Sequence, residues 1–209
     1  MRTFLILLLC FIAGTAAAET VTIEASQDNT LYESTQGALS NGAGTRLFIG
    51  LTSSNGVRRA VFAFKDLGAI PAGSTIKSVK LHMYVSRQNS DPTMTDLFRL
   101  ESDWGEGTSD ASGPEGGGAP ATTGDATWNH TFFDNMLWST PGGDFNQASR
   151  AQLEVGDVGP YTWGSTTTMV ADVQDWLDNP QNNFGWILLA DETVGSARRI
   201  ISREGSDST

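Results

Sequence analysis

Residues 76–85, Ile-Lys-Ser-Val-Lys-Leu-His-Met-Tyr-Val, run with a period of two: Val79, Leu81, Met83 and Val85 form an apolar line, and Lys80, His82 and Tyr84 form a polar one. Successive side chains of a strand point to opposite faces, so this stretch is a strand with one wet face and one buried face. Such a strand needs paired neighbours and a second layer over its apolar side. Segments 20–25, 46–51, 57–64, 97–102, 152–158, 185–190 and 198–203 supply the neighbours. Asn55-Gly56 between two apolar runs marks a hairpin, and Pro71-Ala-Gly73 another turn. Only 168–179 changes period. There Val170, Val173, Trp176 and Leu177 stand at helical spacing, Thr166 or Thr168 is the cap, and Asn179-Pro180 ends the helix. Many short strands with one short helix near 168–179 predict an all-β fold, a jelly-roll-like β-sandwich of two antiparallel sheets.

The first 18 residues have one early positive charge, Arg2, then an apolar run and the small residues Ala16-Ala-Ala18. That is the layout of a cleavable export signal, too short to span a bilayer. The expected organisation is a signal peptide at 1–18 and a single module at 19–209, secreted to the extracellular space and monomeric. The only cysteine, Cys10, leaves with the signal, so no disulfide braces the mature chain. The charge of the full chain is strongly negative, with 24 Asp and Glu against 13 Lys and Arg. This balance disfavours nucleic acid and anionic membrane and suits divalent cations.

Residues 101–145 form a long connection that gathers Trp104, Trp128 and Trp138, half of the six tryptophans, with many carboxylates and a glycine-proline tract. A connection this long in a compact domain is either functional or disordered, and its aromatics favour function. Trp104, Trp128, Trp138 and Trp163 are candidate stacking platforms for sugar rings. Each is equally a candidate core filler that hydrogen-bonds its N–H. Trp176 and Trp186 read as core. Two carboxylate sets suggest calcium, which takes six to eight oxygen ligands. One is Asp103, Glu106 and Asp110 in the glycine-rich segment. The other is Asp28, Asp191 with Glu192, and Glu204, if the chain ends meet. Solvated acidic loops are the plainer alternative for both. An acidic polymer would need a local basic patch or a bridging cation, and Arg46, Arg58, Arg59, Lys77 and Lys80 are the candidates for the patch.

Several motifs together resemble the DNRLRE-type domain, a secreted β-sandwich module grouped with carbohydrate-binding modules, one family of which binds alginate. Asp28-Asn-Thr-Leu-Tyr-Glu33 matches at Asp28, Asn29, Leu31 and Glu33. Further likeness lies in Arg59-Ala-Val-Phe-Ala-Phe64, Ile70-Pro-Ala-Gly-Ser-Thr-Ile-Lys-Ser-Val-Lys-Leu81, the Trp104 to Trp128 pair, Asp172-Val-Gln-Asp-Trp176 before Gly185-Trp-Ile-Leu188, and Ser202-Arg-Glu204. The resemblance implies non-catalytic binding of an extracellular polysaccharide. Trp104, Trp128, Trp138 and Trp163, from their places in or near connections, with Arg58 and Arg59 from the basic patch, are the expected binding set. One departure is the ending Gly205-Ser-Asp-Ser-Thr209, where such modules close with a strand of Pro-x-Leu-x-Val character. It predicts an open sheet edge.

For catalysis the sequence offers little. His130 with Asp134 is the best base pair and Tyr161 the best lyase candidate, but no HExxH, GxSxG or phosphate-cradling loop is present. The expectation is a binding module rather than an enzyme. An adhesion module with a protein partner is the alternative.

Overall fold

The computed structural model describes residues 18–206. The export-signal assignment therefore lies almost wholly outside the described residues. In chain order the elements are β1 (Gln27–Tyr32), β2 (Leu39–Ser40), β3 (Arg46–Leu51), β4 (Val57–Ala63), β5 (Lys80–Gln88), β6 (Thr93–Arg99), β7 (Ala119–Pro120), β8 (His130–Phe132), β9 (Met136–Leu137), β10 (Ala151–Val155) and β11 (Gly159–Gly164). Then come α1 (Thr167–Asp178), a 3-10 turn (Pro180–Asn182), β12 (Trp186–Ala190) and β13 (Arg198–Ile201).

The protein is all-β around one antiparallel nine-stranded sheet, ordered β10-β6-β12-β4-β3-β13-β5-β11, with β1 paired to β4. The expected division into two separate sheets is bridged where β3 and β4 share a short ladder, Gly50 opposite Arg58 and Leu51 opposite Val57. Beyond it β3 turns away to pair with β13 and β12 takes its place along that edge of β4 at 60–62, while β1 pairs along the opposite edge for six residues, Gln27 opposite Ala63 through Tyr32 opposite Arg58. The sheet curls until its two end strands, β10 and β11, touch.

Inside the curl lies the main core, with Leu47, Phe62, Leu81, Val85, Trp163 and Trp186 among its buried members. The alternation of β5 is as the sequence requires: Leu81 and Val85 are buried, Lys80 and His82 exposed. Residues 52–56 close the expected hairpin, and Asn55 takes a positive φ of 59°. Helix α1 starts where Thr166 accepts the Met169 N–H at 3.1 Å, and it buries Met169, Asp172 and Trp176 against the open side of the core.

A second core covers the outer face of β1, β4 and β12. Leu31, Val61 and Ile187 point into it, and the long connection closes it with Leu100, Trp104, Ala126 and Trp138. This half of the sheet is thus buried on both faces, and β12 reads as the unbroken apolar run Trp-Ile-Leu-Leu-Ala. The connection has little regular structure of its own. Its acids order it by accepting backbone N–H groups: Asp125, fully buried, takes Thr108 at 2.8 Å and Thr122 at 2.6 Å, and Asp144 takes Ser139 at 2.9 Å and Thr140 at 3.0 Å. Gly107, at φ +73°, packs against Asp125 where any Cβ would collide.

One strand expectation is corrected. Residues 20–25 form no strand, and the ladder starts instead at β1, whose Asp28, Asn29, Thr30, Leu31 and Tyr32 are all buried. With both faces covered, β1 shows no alternation to read. β11 also escaped the pattern, because Gly159-Pro160 opens it. Proline is tolerated there since β11 lies at the end of the sheet order.

Candidate metal centre

The polar residues of β1 are buried because they assemble a junction between three distant parts of the chain. Asn29 Nδ2 donates to Ser40 Oγ and to the Glu106 carbonyl, both at 2.8 Å, while its Oδ1 accepts from Asn41 N at 3.0 Å. Gly42 permits this approach: a Cβ there would lie 1.8 Å from the Glu106 carbonyl oxygen. The result sets Glu106 beside Asp28, whose own backbone N–H donates to Glu106 Oε1 at 2.7 Å. From the far end of the chain, Ser202 donates to the Gly44 carbonyl at 2.8 Å, and Arg203 N donates to Asp28 Oδ2 at 2.8 Å. Those two bonds bring in Glu204.

Asp28, Glu106 and Glu204 then offer oxygens that all lie within 4.8 Å of one another. Arg203 clamps the rim, with Nε and Nη2 on the two Glu106 oxygens at 2.8 and 2.7 Å and Nη2 on Glu204 at 2.7 Å. Three carboxylates against one guanidinium leave two negative charges unbalanced. Asp28 is 3% exposed. Burial pushes its carboxyl up to about 7, and Glu204 and Glu106 add to the rise against the opposing Arg203 backbone bond and charge. Burial also pushes Glu204 up, with Glu106 adding and Arg203 opposing. Most telling, Asp28 Oδ1 and Glu204 Oε2 are buried and have no hydrogen-bond partner among the described residues. A buried carboxylate oxygen left without a partner costs several kcal/mol at the outside, roughly 1–3 for the lost bond alone, unless a proton or a cation meets it.

The donor set fits a hard divalent cation. It is all oxygen, which suits calcium and magnesium rather than soft metals, and one divalent ion cancels the excess charge. Of the six expected metal ligands the structure unites Asp28, Glu106 and Glu204, one from the glycine-rich set and two from the chain-end set. It does not unite the rest. Asp103 pairs with Lys65 at 2.8 Å, Asp110 is exposed, and Asp191 accepts its own turn at Thr193 N, 2.8 Å.

The expected sugar platforms are corrected more sharply. Trp104, Trp138 and Trp163 are 1%, 4% and 1% exposed, and their N–H groups bond the Phe184 carbonyl, the Thr127 carbonyl and Thr95 Oγ1. An indole enclosed in a core has no face to offer a ligand. Trp128 is half-buried, and the Arg59 guanidinium lies 4.9 Å over its ring. Arg59 is itself held by both oxygens of Glu192 at 2.8 Å and by the Gly142 carbonyl. Arg58 stacks 4.9 Å over Tyr32 and donates to the Val57 carbonyl. His130 bonds Thr127 Oγ1 at 3.0 Å rather than Asp134, and the Tyr161 hydroxyl donates to the Asp157 carbonyl at 2.9 Å.

Sequence reasoning overlooked the buried acids that do structural work. Asp172 joins Arg150 at 2.8 Å, Trp186 Nε1 at 2.9 Å and Arg99 at 3.4 Å, and Glu115 satisfies Asn41, Thr45 and the Arg46 N–H. Asp172 had a readable signal, since it sits on the helical face that carries Met169 and Trp176. Among the described residues no helix is long and apolar enough to cross a membrane.

No protein-family model matches this chain, and no curated protein matches it. The resemblance to the DNRLRE-type domain rests on the motifs quoted above.

Proposed function

We propose that the chain is an exported, non-catalytic binding module of jelly-roll type, braced by one divalent cation and directed at extracellular polysaccharide. The observation that carries the brace is the pair of buried, partnerless oxygens, Asp28 Oδ1 and Glu204 Oε2, beside Glu106. Calcium is the ion we assign, because it accepts an irregular set of carboxylate and carbonyl oxygens without demanding ideal octahedral geometry. Bound there, it supplies charge neutralisation. The chain's own residues do the positioning: Asn29 and Gly42 hold the connection against β1, and Arg203 orients Glu106 and Glu204.

The polysaccharide assignment is supported by the family likeness of the motifs. The buried indoles move the binding surface away from Trp104, Trp138 and Trp163, and leave the rigid sheet as the element on which ligand groups are carried. Differential scanning calorimetry with calcium and with chelator, followed by a glycan array in both conditions, tests the reading. A melting temperature that ignores calcium removes the brace, and an array blank in both conditions removes the polysaccharide.

A further inference from the structure

The main core is enclosed between two halves of the curled sheet, and the outer faces of those halves carry opposite charge. Leu81, Val85 and Trp163 enter the core from β5 and β11, and Leu97, Ala151 and Val155 enter it from β6 and β10. Alternate residues of each half therefore point outward, and the two outer faces look away from each other. The first half, β3, β13, β5 and β11, contains five cations and not one carboxylate. Arg198 is buried and spends its guanidinium on carbonyls, which leaves Arg46, Lys80, Arg87 and Arg199 for the outer side. Register sets Arg199 directly between Phe48 and Arg87, and Arg46 opposite Ile201. Lys80 and Arg87 are exposed; Arg46 and Arg199 are half-buried. The guanidinium of Arg199 is held below its usual range, first by burial and then by Arg46 and Arg87, so the three charges feel one another. Like charges directly opposite across a ladder destabilise a sheet.

β10 and β6 show the reverse. Their outward residues include Met94, Asp96, Gln152 and Glu154, while Arg99, the one cation of the two strands, turns to α1 and pairs with Asp172 and Asp175. Glu154 stands opposite Met94, and Gln152 stands opposite Asp96, whose carboxylate accepts the Gln152 amide at 2.6 Å. At the end where β6 begins and β10 and β12 stop, the loops add Asp91, Asp157 and Asp191, all exposed. Met94, 46% exposed, is an apolar centre among these acids. No ion pair among the described residues uses a group of either face. Each face is thus an uncompensated charge of one sign, and the chain carries its own complement on the far side.

We infer that the outer face of β3, β13, β5 and β11 docks on the outer face of β10 and β6 of a second copy of this chain, setting Arg87, Arg199 and Lys80 against Asp96, Glu154 and the acids of the adjoining loops. The two faces look in opposite directions, so the contact is heterologous: chains stack head to tail and do not close as a dimer. This self-docking is independent of the polysaccharide reading. A second copy fits the cations better than a long polyanion does, because it presents carboxylates over a patch of only about 10 Å by 17 Å, with Met94 to meet the half-buried rings of Phe48 and Tyr84. A long polyanion runs on into the acidic remainder of the molecule and is repelled there. The net charge of two copies also opposes their approach, but at physiological salt it is screened beyond about 8 Å, whereas groups in contact are screened less. So small a patch makes a weak association, and a dilute chain stays monomeric.

The test is sedimentation equilibrium of the chain at concentrations up to about 1 mM, the range of weak contacts. In about 0.1 M salt the average mass is expected to climb with concentration past that of a dimer, and in about 1 M salt to fall back toward the monomer. Arg87→Ser and Glu154→Gln each weaken the association roughly fivefold, the scale of one solvent-exposed charge pair. Arg87→Glu with Arg199→Glu abolishes it, and so does Asp96→Lys with Glu154→Lys. An equimolar mixture of those two double variants restores it, since one then presents acid on both faces and the other presents base on both. Circular dichroism melts accompany every variant; if a double variant fails to fold, the single changes at Arg87 and Glu154, both exposed, give the reading. The proposal is overturned by a mass that ignores concentration, by one that stops at the dimer, by association that survives either charge reversal, or by a mixture of folded double variants that stays monomeric. A chain that remains monomeric yet binds dextran sulfate through Arg87 and Arg199 assigns the basic face to an external polyanion and overturns it as well.

Discussion

Asp28 donates its backbone N–H to Glu106 at 2.7 Å, and its carboxylate accepts the backbone N–H of Arg203 at 2.8 Å, so one residue of β1 ties the long connection to the end of the chain. These bonds span 78 and 175 positions of sequence. A cation at the same point binds only the folded arrangement, since the unfolded chain does not hold the three carboxylates together. Calcium at about a hundred times its dissociation constant then stabilises the fold by about 2.7 kcal/mol. The melting temperature is expected to rise with calcium and fall with chelator in the natural sequence, and to ignore both in Asp28→Asn and Glu204→Gln. Scanning calorimetry of the three proteins reads this directly.

The proton competes with that cation, and the sign is fixed by the direction of the shift. Asp28 titrates near 3.8 when unfolded and at about 7 when folded. Its neutral form therefore contributes stability that is fully present below about pH 4 and is lost as pH rises through about 7. In chelator, the natural sequence is expected to lose a few kcal/mol relative to Asp28→Asn between pH 4 and pH 8. Urea unfolding at both pH values measures the difference, and calcium should erase most of it at pH 8.

Trp138 now separates two roles. As a core residue with its N–H on the Thr127 carbonyl, its truncation to alanine opens a cavity and costs about 3–5 kcal/mol. Trp138→Ala should therefore shift the urea midpoint strongly. An unchanged midpoint would mean the indole does not pack as described.

Asp172 is 4% exposed at its side chain and accepts from Arg150, Trp186 and Arg99. Replacing it with leucine strands the Arg150 guanidinium and the Trp186 N–H beneath α1, while Arg99 keeps Asp175, a loss of about 3–5 kcal/mol by analogy with other broken buried pairs. Chemical denaturation of Asp172→Leu checks it, and the additional replacement Arg150→Met is expected to restore part of the loss.

Reading the chain worked where one physical rule governed a segment. β5, the β3–β4 hairpin and α1 each bury one face against one core, so period and turn chemistry disclose them. It failed where two layers meet. β1 is covered on both sides, and its inward polar residues resemble a loop. The tryptophans of the long connection looked like a displayed rim because a loop is expected to lie on the surface. Here the connection brings its own hydrophobic core and lays it on the sheet, and Trp104 and Trp138 go inside.

By itself the sequence determined which stretches could be strands, where the helix begins and ends, and that acidic oxygens are abundant, because these depend on neighbours a few positions apart. Which three carboxylates would meet, and which cations would share a face with no acid among them, was decided by the tertiary structure. Asp28 meets Glu106 and Arg203 only in the folded sheet, and Arg199 stands between Phe48 and Arg87 only through the register of three strands. Charge acts through space over a few ångströms, and folding rather than the order of the chain sets those distances.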